Sequence, residues 1–433
     1  MQPLKSKDTA LRRANAADGA LDIFVITPWF PNRPGGWPAP FIAESVGALA
    51  EMGHRVRVAV LRGIVPNFLE RFAPREHQGK IDTAAFHSLE RLETSRYLAL
   101  PRGFLRRLTN LALDGTVKRS LQRAFKDRRP DVLIVHSEGL ASGAVEIAGT
   151  IGLPVIVVLH GENTNREYIS GGQQVERFRR SLSAADRLVI VGEPLRAYAA
   201  KLAGRADHVC VVWNGVRPPP KTRVVPVPDC KPLELITVSN LQEGKGVDLL
   251  VAALHRLCLA GVAHWRLTVI GEGPEKPALR HQVDAANLGD HVRFLGAQSN
   301  TRVLDELAQC DVFVLPSYRE AFGVAYLEAM AAGLLTVGVR GQGPAQFIVD
   351  GETGLLVEPR SVDALVQTLE PILQQADRTA WRRIAAQGAS YAATQATWQA
   401  HASRMTDLIR TVVAENTSRP STVSLSTSRV VAP

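Results

Sequence analysis

Residues 311–339 read D-V-F-V-L-P-S-Y-R-E-A-F-G-V-A-Y-L-E-A-M-A-A-G-L-L-T-V-G-V, and they show the clearest pattern of secondary structure in the sequence. The apolar runs 311–316 and 334–339 have the length and the β-branched content of buried strands, whereas residues 325–332 are typical of a helix. A helix that connects two such strands over a short distance predicts a strand–helix–strand unit of a parallel sheet.

The same alternation extends from this unit towards the N-terminus. Further strands are predicted at 21–27, 54–61, 131–136, 154–159, 187–191 and 208–213, and then at 233–239, 266–271 and 291–295. Helices are predicted at 41–52, 247–259 and 274–287. The stretch 217–231 contains five prolines and separates the two groups of strands, so it predicts an interdomain linker.

This pattern predicts an α/β fold with two doubly wound, Rossmann-like domains that face each other across a cleft. The N-terminal domain is predicted at 21–216 and the C-terminal domain at 232–394. The chain is helical again at 395–415. Residues 1–20 and 416–433 are predicted as tails, and the second, which is rich in Ser and Thr, as a disordered one.

Composition narrows the class of protein. The 433 residues are 45% hydrophobic and 21% charged, which is typical of globular chains and excludes a fibrous or wholly disordered protein. No apolar run approaches the roughly 18–20 residues that span a bilayer, and no apolar segment follows the basic N-terminus, which argues against a secretory signal. The four cysteines are widely separated, which favours the cytoplasm over a disulfide scaffold or a thiolate zinc site.

The positive charge is concentrated in the first half of the chain. Residues 1–216 carry 30 Lys and Arg against 21 Asp and Glu, which accounts for the whole net charge of +9. The segment 95–130 holds ten of these cations, at Arg96, Arg102, Arg106, Arg107, Lys118, Arg119, Arg123, Lys126, Arg128 and Arg129. A solvated helix face, a phosphorylated acceptor and an anionic membrane are alternative interpretations. Nucleic acid is disfavoured, because neither interleaved aromatic residues nor a binding motif accompany the charge.

The same segment also contains apolar side chains that would suit a membrane surface, namely Phe104, Leu105, Leu108, Leu111, Leu113 and Phe125. Together with the basic residues they predict peripheral contact with an anionic membrane.

Three short motifs follow predicted strands. Gly35-Gly36 precedes a helix, where backbone N–H groups can approach a phosphate, although a simple loop hinge explains it equally well. His160 follows a buried strand and should project into the cleft, with a structural role as the alternative. Lys245 lies at the start of a helix, where a cation is unfavourable unless an anion such as a diphosphate binds there; the alternative is a solvated lysine in a turn.

Glu320 and Glu328 form the most informative pair. Eight residues on one helix would place them about 80° apart around the axis, so we expect Glu320 in the preceding loop and Glu328 within the helix. Glu328 lies among apolar residues and needs a hydrogen-bonding partner, for which ribose hydroxyls are suitable donors.

This E-x7-E spacing, in the context E-A-F-G-x-x-x-x-E-A-M-A-x-G, resembles retaining family-4 glycosyltransferases with the GT-B fold, of the type that builds bacterial exopolysaccharides and capsules. His160-Gly161, Asn214-Gly215-Val216, Gly244-Lys245-Gly246, 271–274 (G-E-G-P) and 292–296 (V-R-F-L-G) extend the resemblance over most of the chain. It implies that the helix at 395–415 returns to the N-terminal domain.

The resemblance implies a role for each matching position. His160, Glu320 and Lys245 would be catalytic. Contacts to the donor would come from Gly35, Gly36, Asn240, Lys245, Arg293, Phe294, Glu320, Phe322, Gly323 and Glu328. Lys245 would neutralise the diphosphate, Glu328 would bind the ribose, and Glu320 would hold the sugar. Two positions depart from the family pattern: Asn240 stands where an arginine is common, with Arg319 or Arg340 as possible substitutes, and Gln346 stands where a glutamate is common.

The implied reaction transfers a hexosyl group from a nucleotide diphosphate sugar, which is a co-substrate rather than a cofactor, to a saccharide or lipid-linked saccharide. Front-face attack would retain the anomeric configuration. No D-x-D occurs in the sequence, so we expect no metal, and we expect a cytoplasmic enzyme at the inner face of the membrane. The alternatives are a sugar-nucleotide-binding protein without turnover and a GT-B-fold epimerase.

Overall fold

The computed structural model describes residues 19–36, 39–65, 80–99, 106–161, 172–217, 231–374 and 378–418. Most of the predicted linker and most of both predicted tails lie outside these residues. The part of the chain that the structure describes forms two parallel sheets, each covered by helices on both faces. The predicted fold class is thereby confirmed.

The first sheet has the strand order β3-β2-β1-β4-β5-β6-β7, with every described pair parallel. Its strands are β1 (Asp22–Thr27), β2 (Arg55–Ile64), β3 (Arg91–Leu98), β4 (Val132–His136), β5 (Val155–Leu159), β6 (Arg187–Ile190) and β7 (Val209–Val211). The helices between them are α1 (Pro40–Glu51), α2 (Arg106–Asp127), α3 (Glu138–Thr150), α4 (Gly172–Ala184) and α5 (Arg196–Ala203). The central strands β1, β4 and β5 are buried along their whole length, which explains their unbroken apolar sequences.

The second sheet has the order β10-β9-β8-β11-β12-β13. Its strands are β8 (Leu233–Val238), β9 (Trp265–Ile270), β10 (Val292–Gly296), β11 (Val312–Val314), β12 (Leu335–Val339) and β13 (Leu355–Val357). The helices that follow are α6 (Val247–Leu259), α7 (Lys276–Ala285), α8 (Asn300–Leu307), α9 (Val324–Ala331), α10 (Val362–Gln374) and α11 (Thr379–Gln395). Residues 311–339 thus contain β11, α9 and β12, and β11 pairs with β12 in parallel.

The last described helix, α12 (Trp398–Ser418), packs on the first sheet rather than on the second. Met405, Ile409 and Val412 are buried in the same apolar cluster as α1. Polar contacts add specificity, because Ser45 Oγ lies 2.7 Å from His401 Nε2 and His54 Nε2 lies 2.9 Å from Thr406 Oγ1. This helix extends through Ser418, so the prediction of a disordered tail from residue 416 is wrong at its first three residues.

Strand β3 was missing from the prediction. It lies at the edge of the first sheet, and most of its side chains are exposed or half-buried, so its sequence R-L-E-T-S-R-Y-L lacks the apolar run that identified the other strands. Among the described helices, none combines the length and the apolar character needed to cross a bilayer.

Candidate active site

The loops at the carboxyl ends of the two sheets enclose a cleft of about 610 Å³. The first sheet contributes Trp29, Phe41, His160, Gly161, Pro194 and Leu195 to its lining. The second contributes Lys245, Tyr318, Arg319, Glu320, Ala321, Gly341 and Gln342. The cleft therefore lies where doubly wound sheets bind their ligands.

Lys245 and Glu320 form an ion pair in this cleft. Lys245 Nζ donates to Glu320 Oε2 at 2.8 Å, and the side chains are 22% and 13% exposed. Gly246 follows the lysine with φ of 69° and caps α6, and a Cβ there would lie 2.2 Å from the carbonyl oxygen of Pro316. Only glycine meets both demands, so the sequence Gly-Lys-Gly brings the lysine turn against the loop after β11.

Backbone contacts hold Glu320 in place. Its N–H donates to Gln342 Oε1 at 3.0 Å, and its carbonyl accepts from the N–H of Gly343 at 2.9 Å. Phe322, two residues on, is 3% exposed and packs edge-on against Phe347 with ring centroids 5.4 Å apart. The loop after β11 is thus fixed to the turn after β12, and this fixes the position of the carboxylate.

Glu328 lies within α9 and Glu320 in the loop before it, as their spacing predicts. The partner of Glu328 is Asn300, whose Nδ2 donates to Oε1 at 3.0 Å. Desolvation by burial raises the pKa of Glu328 to about 7, and the hydrogen bond from Asn300 opposes this shift. A carboxylate has several acceptor sites, and Asn300 occupies one of those of Glu328. The Glu328 carboxylate can therefore accept a hydrogen bond from a further donor.

His160 follows β5 and lines the cleft from the first sheet. Its Nε2 lies 2.9 Å from His136 Nδ1, and its ring packs on Phe41 with centroids 4.7 Å apart. Burial lowers the pKa of His160 to about 3, so the imidazole is neutral at neutral pH. The polar residues 162–165 that follow it lie outside the described residues.

The cleft brings together His160, Lys245 and Glu320 from the predicted set. The other predicted site residues are described by the structure but are not among the residues that line the cleft. They are Gly35, Gly36, Asn240, Arg293, Phe294, Phe322, Gly323 and Glu328. Gly35 and Gly36 form the turn before α1, and Asn240 is exposed at the end of β8. Arg293 bonds to Thr268 and to the buried Glu306, and the Phe294 ring lies 5.5 Å from the Arg280 guanidinium.

Sequence reasoning missed several residues of the cleft, including Tyr318 and Gln342. Of the two arginines considered as substitutes for the missing cation at Asn240, Arg319 lines the cleft, whereas Arg340 is bound to Asp350 and Glu358. A signal for Arg319 was its position directly beside Glu320 in the sequence. Nothing in the spacing of Gln342 distinguished it from an ordinary loop residue.

Gln346 joins the two domains next to the cleft. Its Oε1 accepts from the N–H of Glu193 at 2.8 Å and from Trp213 Nε1 at 3.1 Å, and its Nε2 donates to the carbonyl of Gly343 at 2.9 Å. Gly192 lies so close that a Cβ there would be 2.0 Å from the carbonyl oxygen of Ala321. The departure from glutamate at position 346 therefore lies in an interdomain contact.

The basic segment is only partly available as a surface. Leu113 is 8% exposed in the core, so its predicted place on a membrane face is wrong. Arg128 pairs with Asp22 and Glu90, and Arg129 donates to the carbonyls of Ile151 and Gly152. Residues 100–105 lie outside the described residues, as do the side chains of 106 and 107. The cations that α2 exposes are Lys118, Arg119, Arg123 and Lys126.

Comparison with known proteins agrees with this geometry. Residues 38–215 match the family described as glycosyl transferase 4-like domain, and residues 220–388 match glycosyl transferases group 1. A protein named glycogen synthase from Mycobacterium tuberculosis is 30% identical over 263 residues, which cover 58% of this chain and 63% of that protein. WcaL of Salmonella typhimurium, named for colanic acid biosynthesis, is 24% identical over 359 residues, or 76% of this chain and 86% of that protein.

Solved structures share the fold. The Anabaena protein HepE in complex with UDP and glucose has a TM-score of 0.67 at 16% identity, covering 90% of this chain and 100% of that one. Sucrose-phosphate synthase from Thermosynechococcus elongatus has a TM-score of 0.69 at 19% identity, covering 91% and 100%. With two adjacent family matches that together cover most of its length and with these GT-B neighbours, the chain belongs to the glycosyltransferases of the group 1 and 4-like families.

Proposed function

We propose that this protein transfers a hexosyl group from a nucleotide diphosphate sugar to a saccharide or lipid-linked saccharide acceptor, with retained anomeric configuration, in cell-surface polysaccharide biosynthesis. The observation that carries the proposal is the placement of Lys245 and Glu320 opposite His160 across one cleft. The relative named for colanic acid biosynthesis and the neighbour that holds UDP and glucose support the substrate class.

Cations of the second domain would stabilise the leaving group. As the glycosidic bond breaks, negative charge develops on the diphosphate, and a fixed ammonium in a partly desolvated site lowers the energy of that state. Lys245 supplies this charge, and Arg319 in the same lining supplies a second one. These two side chains make the reaction independent of a metal in our proposal, in keeping with a sequence that lacks D-x-D.

The acidic residues would bind the two ends of the donor. Glu320 faces the cleft and would accept hydrogen bonds from sugar hydroxyls, while the ionised form of Glu328 would accept from the ribose. His160 would contact the sugar from the other domain as a neutral imidazole.

Retention by front-face attack is supported by the scarcity of carboxylates among the described residues that line the cleft. Among the described lining residues, Glu320 is the single carboxylate, and its Oε2 is bound to Lys245. A double displacement requires a carboxylate that is free to attack the anomeric carbon, and the ammonium reduces its nucleophilicity. In our proposal the acceptor hydroxyl attacks on the face that the diphosphate leaves, and the diphosphate oxygen takes its proton.

A lipid-linked acceptor would place the protein at the cytoplasmic face of a membrane. Ile64 and Leu98 are paired at the carboxyl ends of β2 and β3, and they are 44% and 49% exposed. Leu108 and Leu111 at the start of α2 are 54% and 66% exposed. The same helix α2 exposes Lys118, Arg119, Arg123 and Lys126, and exposed apolar and basic side chains on one helix suit an anionic bilayer.

The proposal is tested by a thermal-shift screen of UDP-, GDP- and ADP-sugars, followed by a transfer assay with the donor that stabilises the protein. We expect one donor to raise the melting temperature and the product to keep the anomeric configuration by NMR, with EDTA leaving the rate unchanged. Tight donor binding without hydrolysis or transfer would instead indicate a binding protein, and an isomerised sugar from donor alone would indicate an epimerase.

A further inference from the structure

A second histidine lies beside His160. His136 is the last residue of β4 and pairs with Val158 of β5 in the parallel register, so the two adjacent strands end at the same edge of the sheet. The rings are nearly parallel, with 13° between their planes and 5.1 Å between their centroids, and His136 Nδ1 lies 2.9 Å from His160 Nε2. The sequence-based prediction of the site did not include His136.

Both rings are neutral, which makes their contact directional. His136 is 4% exposed, and desolvation lowers its pKa well below the ordinary range, while burial lowers the pKa of His160 to about 3. In a pair of neutral imidazoles, one nitrogen at the contact carries the hydrogen and the other accepts it. The tautomer of each ring therefore depends on the tautomer of its neighbour.

The surroundings leave His160 few other ways to hold its ring. A cavity of about 10 Å³ lies behind it, lined by Phe41, Ser45 and His401 among others. His401 does not compete for the contact, because its Nδ1 donates to the carbonyl of Trp213 at 2.7 Å and its Nε2 lies 2.7 Å from Ser45 Oγ. Within the described residues, His160 Nδ1 has no hydrogen-bonding partner. Among those residues, His136 is thus the single polar group that fixes this ring.

We propose that His136 is a positioning residue, whose hydrogen bond fixes the tautomer and the ring plane of His160 at the cleft. This inference deepens the proposed function and rests on it for the part that His160 plays in transfer. The hydrogen bond uses Nε2, so Nδ1 is the ring nitrogen whose protonation state is set by this contact. Since His136 lies one strand away, it acts on the substrate only through His160.

Two variants distinguish the effect of the hydrogen bond to His160 from the effect of the side-chain volume of His136. His136→Leu keeps an apolar side chain of similar size but removes the nitrogen, whereas His136→Asn places an amide close to the position of Nδ1, where it can bond to His160 Nε2. We expect the side-chain ¹⁵N NMR signals of His160 to report one tautomer in the native protein and in His136→Asn, and a mixture of tautomers in His136→Leu. This measurement requires no donor or acceptor, so it remains decisive if the proposed transfer reaction fails.

With an active donor and acceptor, His136→Leu should lower kcat by up to about 100-fold with KM changed less, because a misplaced catalytic group loses transition-state contacts first. His136→Asn should recover most of that loss. A His160 tautomer unaffected by His136→Leu, or an equal loss of kcat in the Leu and Asn variants, would overturn the proposal. If His136→Leu does not fold by circular dichroism, His136→Gln, whose amide lies one bond further from the backbone, takes its place with the same expected results.

Discussion

Lys245 Nζ lies 2.8 Å from Glu320 Oε2, and this contact joins the turn after β8 to the loop after β11. The two groups come from positions 75 residues apart, so the pair depends on the folded second domain. The proposed donor diphosphate and the carboxylate of Glu320 would both be attracted to the same ammonium. The first two predictions follow from this shared partner.

Lys245→Ala should lower kcat/KM by about 100-fold or more, because the leaving diphosphate loses its nearest cation. It also leaves the negative charge of Glu320 unpaired beside the diphosphate. The double variant Lys245→Ala/Glu320→Gln should therefore bind free UDP, or the nucleotide that the donor screen identifies, more tightly than the single lysine variant does. Calorimetric titration measures the nucleotide affinity of the single and the double variant, and the exposed Lys201→Ala variant serves as control. Equal affinity in the single and double variants would contradict electrostatic competition.

Glu320→Gln should weaken binding of the intact donor and lower kcat/KM by about 10- to 100-fold, since charged hydrogen bonds to the sugar hydroxyls become neutral ones. Binding of the free nucleoside diphosphate should not weaken, because it lacks the sugar and because the neutral glutamine no longer competes with it for Lys245. Titration of both ligands against this variant and against the control Glu370→Gln makes the comparison. A similar loss for both ligands would place Glu320 away from the sugar.

Glu328 gives the protein a pH-dependent stability. Its folded-state pKa of about 7 lies above the ordinary glutamate pKa of 4.5, so between these values the folded state binds more protons than the unfolded state. The free energy of unfolding should therefore decrease as pH rises from about 4.5 to 7, by up to about 3 kcal/mol from this group. Urea denaturation from pH 5 to 8 should show a flatter profile for Glu328→Gln, whereas the exposed control Glu352→Gln should follow the native curve.

Donor binding should have the opposite pH dependence, because ribose hydroxyls donate to the ionised form of Glu328. We expect affinity for the donor to increase as pH rises through 7, and this increase to disappear in Glu328→Gln. An identical pH profile in the two proteins would remove Glu328 from the ribose site.

Gln346→Ala should loosen the contact between the domains, because the N–H of Glu193 and the indole of Trp213 both lose their acceptor. Each lost hydrogen bond costs about 1 kcal/mol. Hydrogen–deuterium exchange should accelerate in the peptide that contains Glu193, whereas Gln346→Glu, which keeps an acceptor oxygen at the contact, should accelerate it less. The exposed Gln298→Ala serves as control. Unchanged exchange in Gln346→Ala would show that the carboxamide does not hold the domains.

Arg119→Ala/Arg123→Ala should bind phosphatidylglycerol vesicles about 30-fold more weakly, at about 1 kcal/mol for each basic side chain near an anionic surface. Co-sedimentation with vesicles measures this, and the equally charged double variant Lys201→Ala/Arg383→Ala controls for net charge. Equal loss in the two double variants would argue against α2 as the membrane surface.

Most of the fold could be predicted from the sequence, because buried strands leave a recognisable apolar pattern. Strands such as β4 and β5 are buried on both faces and so have unbroken apolar sequences, and the spacing of Glu320 and Glu328 excluded one shared helix face. Strand β3 escaped because an edge strand with half-exposed residues has no such pattern.

The site was less predictable, because its decisive contacts join distant parts of the chain. His136 and His160 are 24 residues apart, and Gln346 meets Glu193 across 153 residues. No local pattern records which loop faces which. A local motif can also mislead. Arg293 matches the family motif, but the motif did not reveal that its side chain is bound to Glu306.

The close approach at Gly192 offers a handle on the relative placement of the lobes. Its backbone is extended, so a larger residue meets no torsional penalty there, and the obstacles are the carbonyl oxygen of Ala321 and the side-chain Nε2 of Gln346. A valine at position 192 would push the two domains apart by steric conflict while each domain remains folded. Small-angle scattering of this variant would measure how far the two domains can separate. Comparing its donor binding with its rate of sugar transfer would distinguish the binding step from the bond-making step.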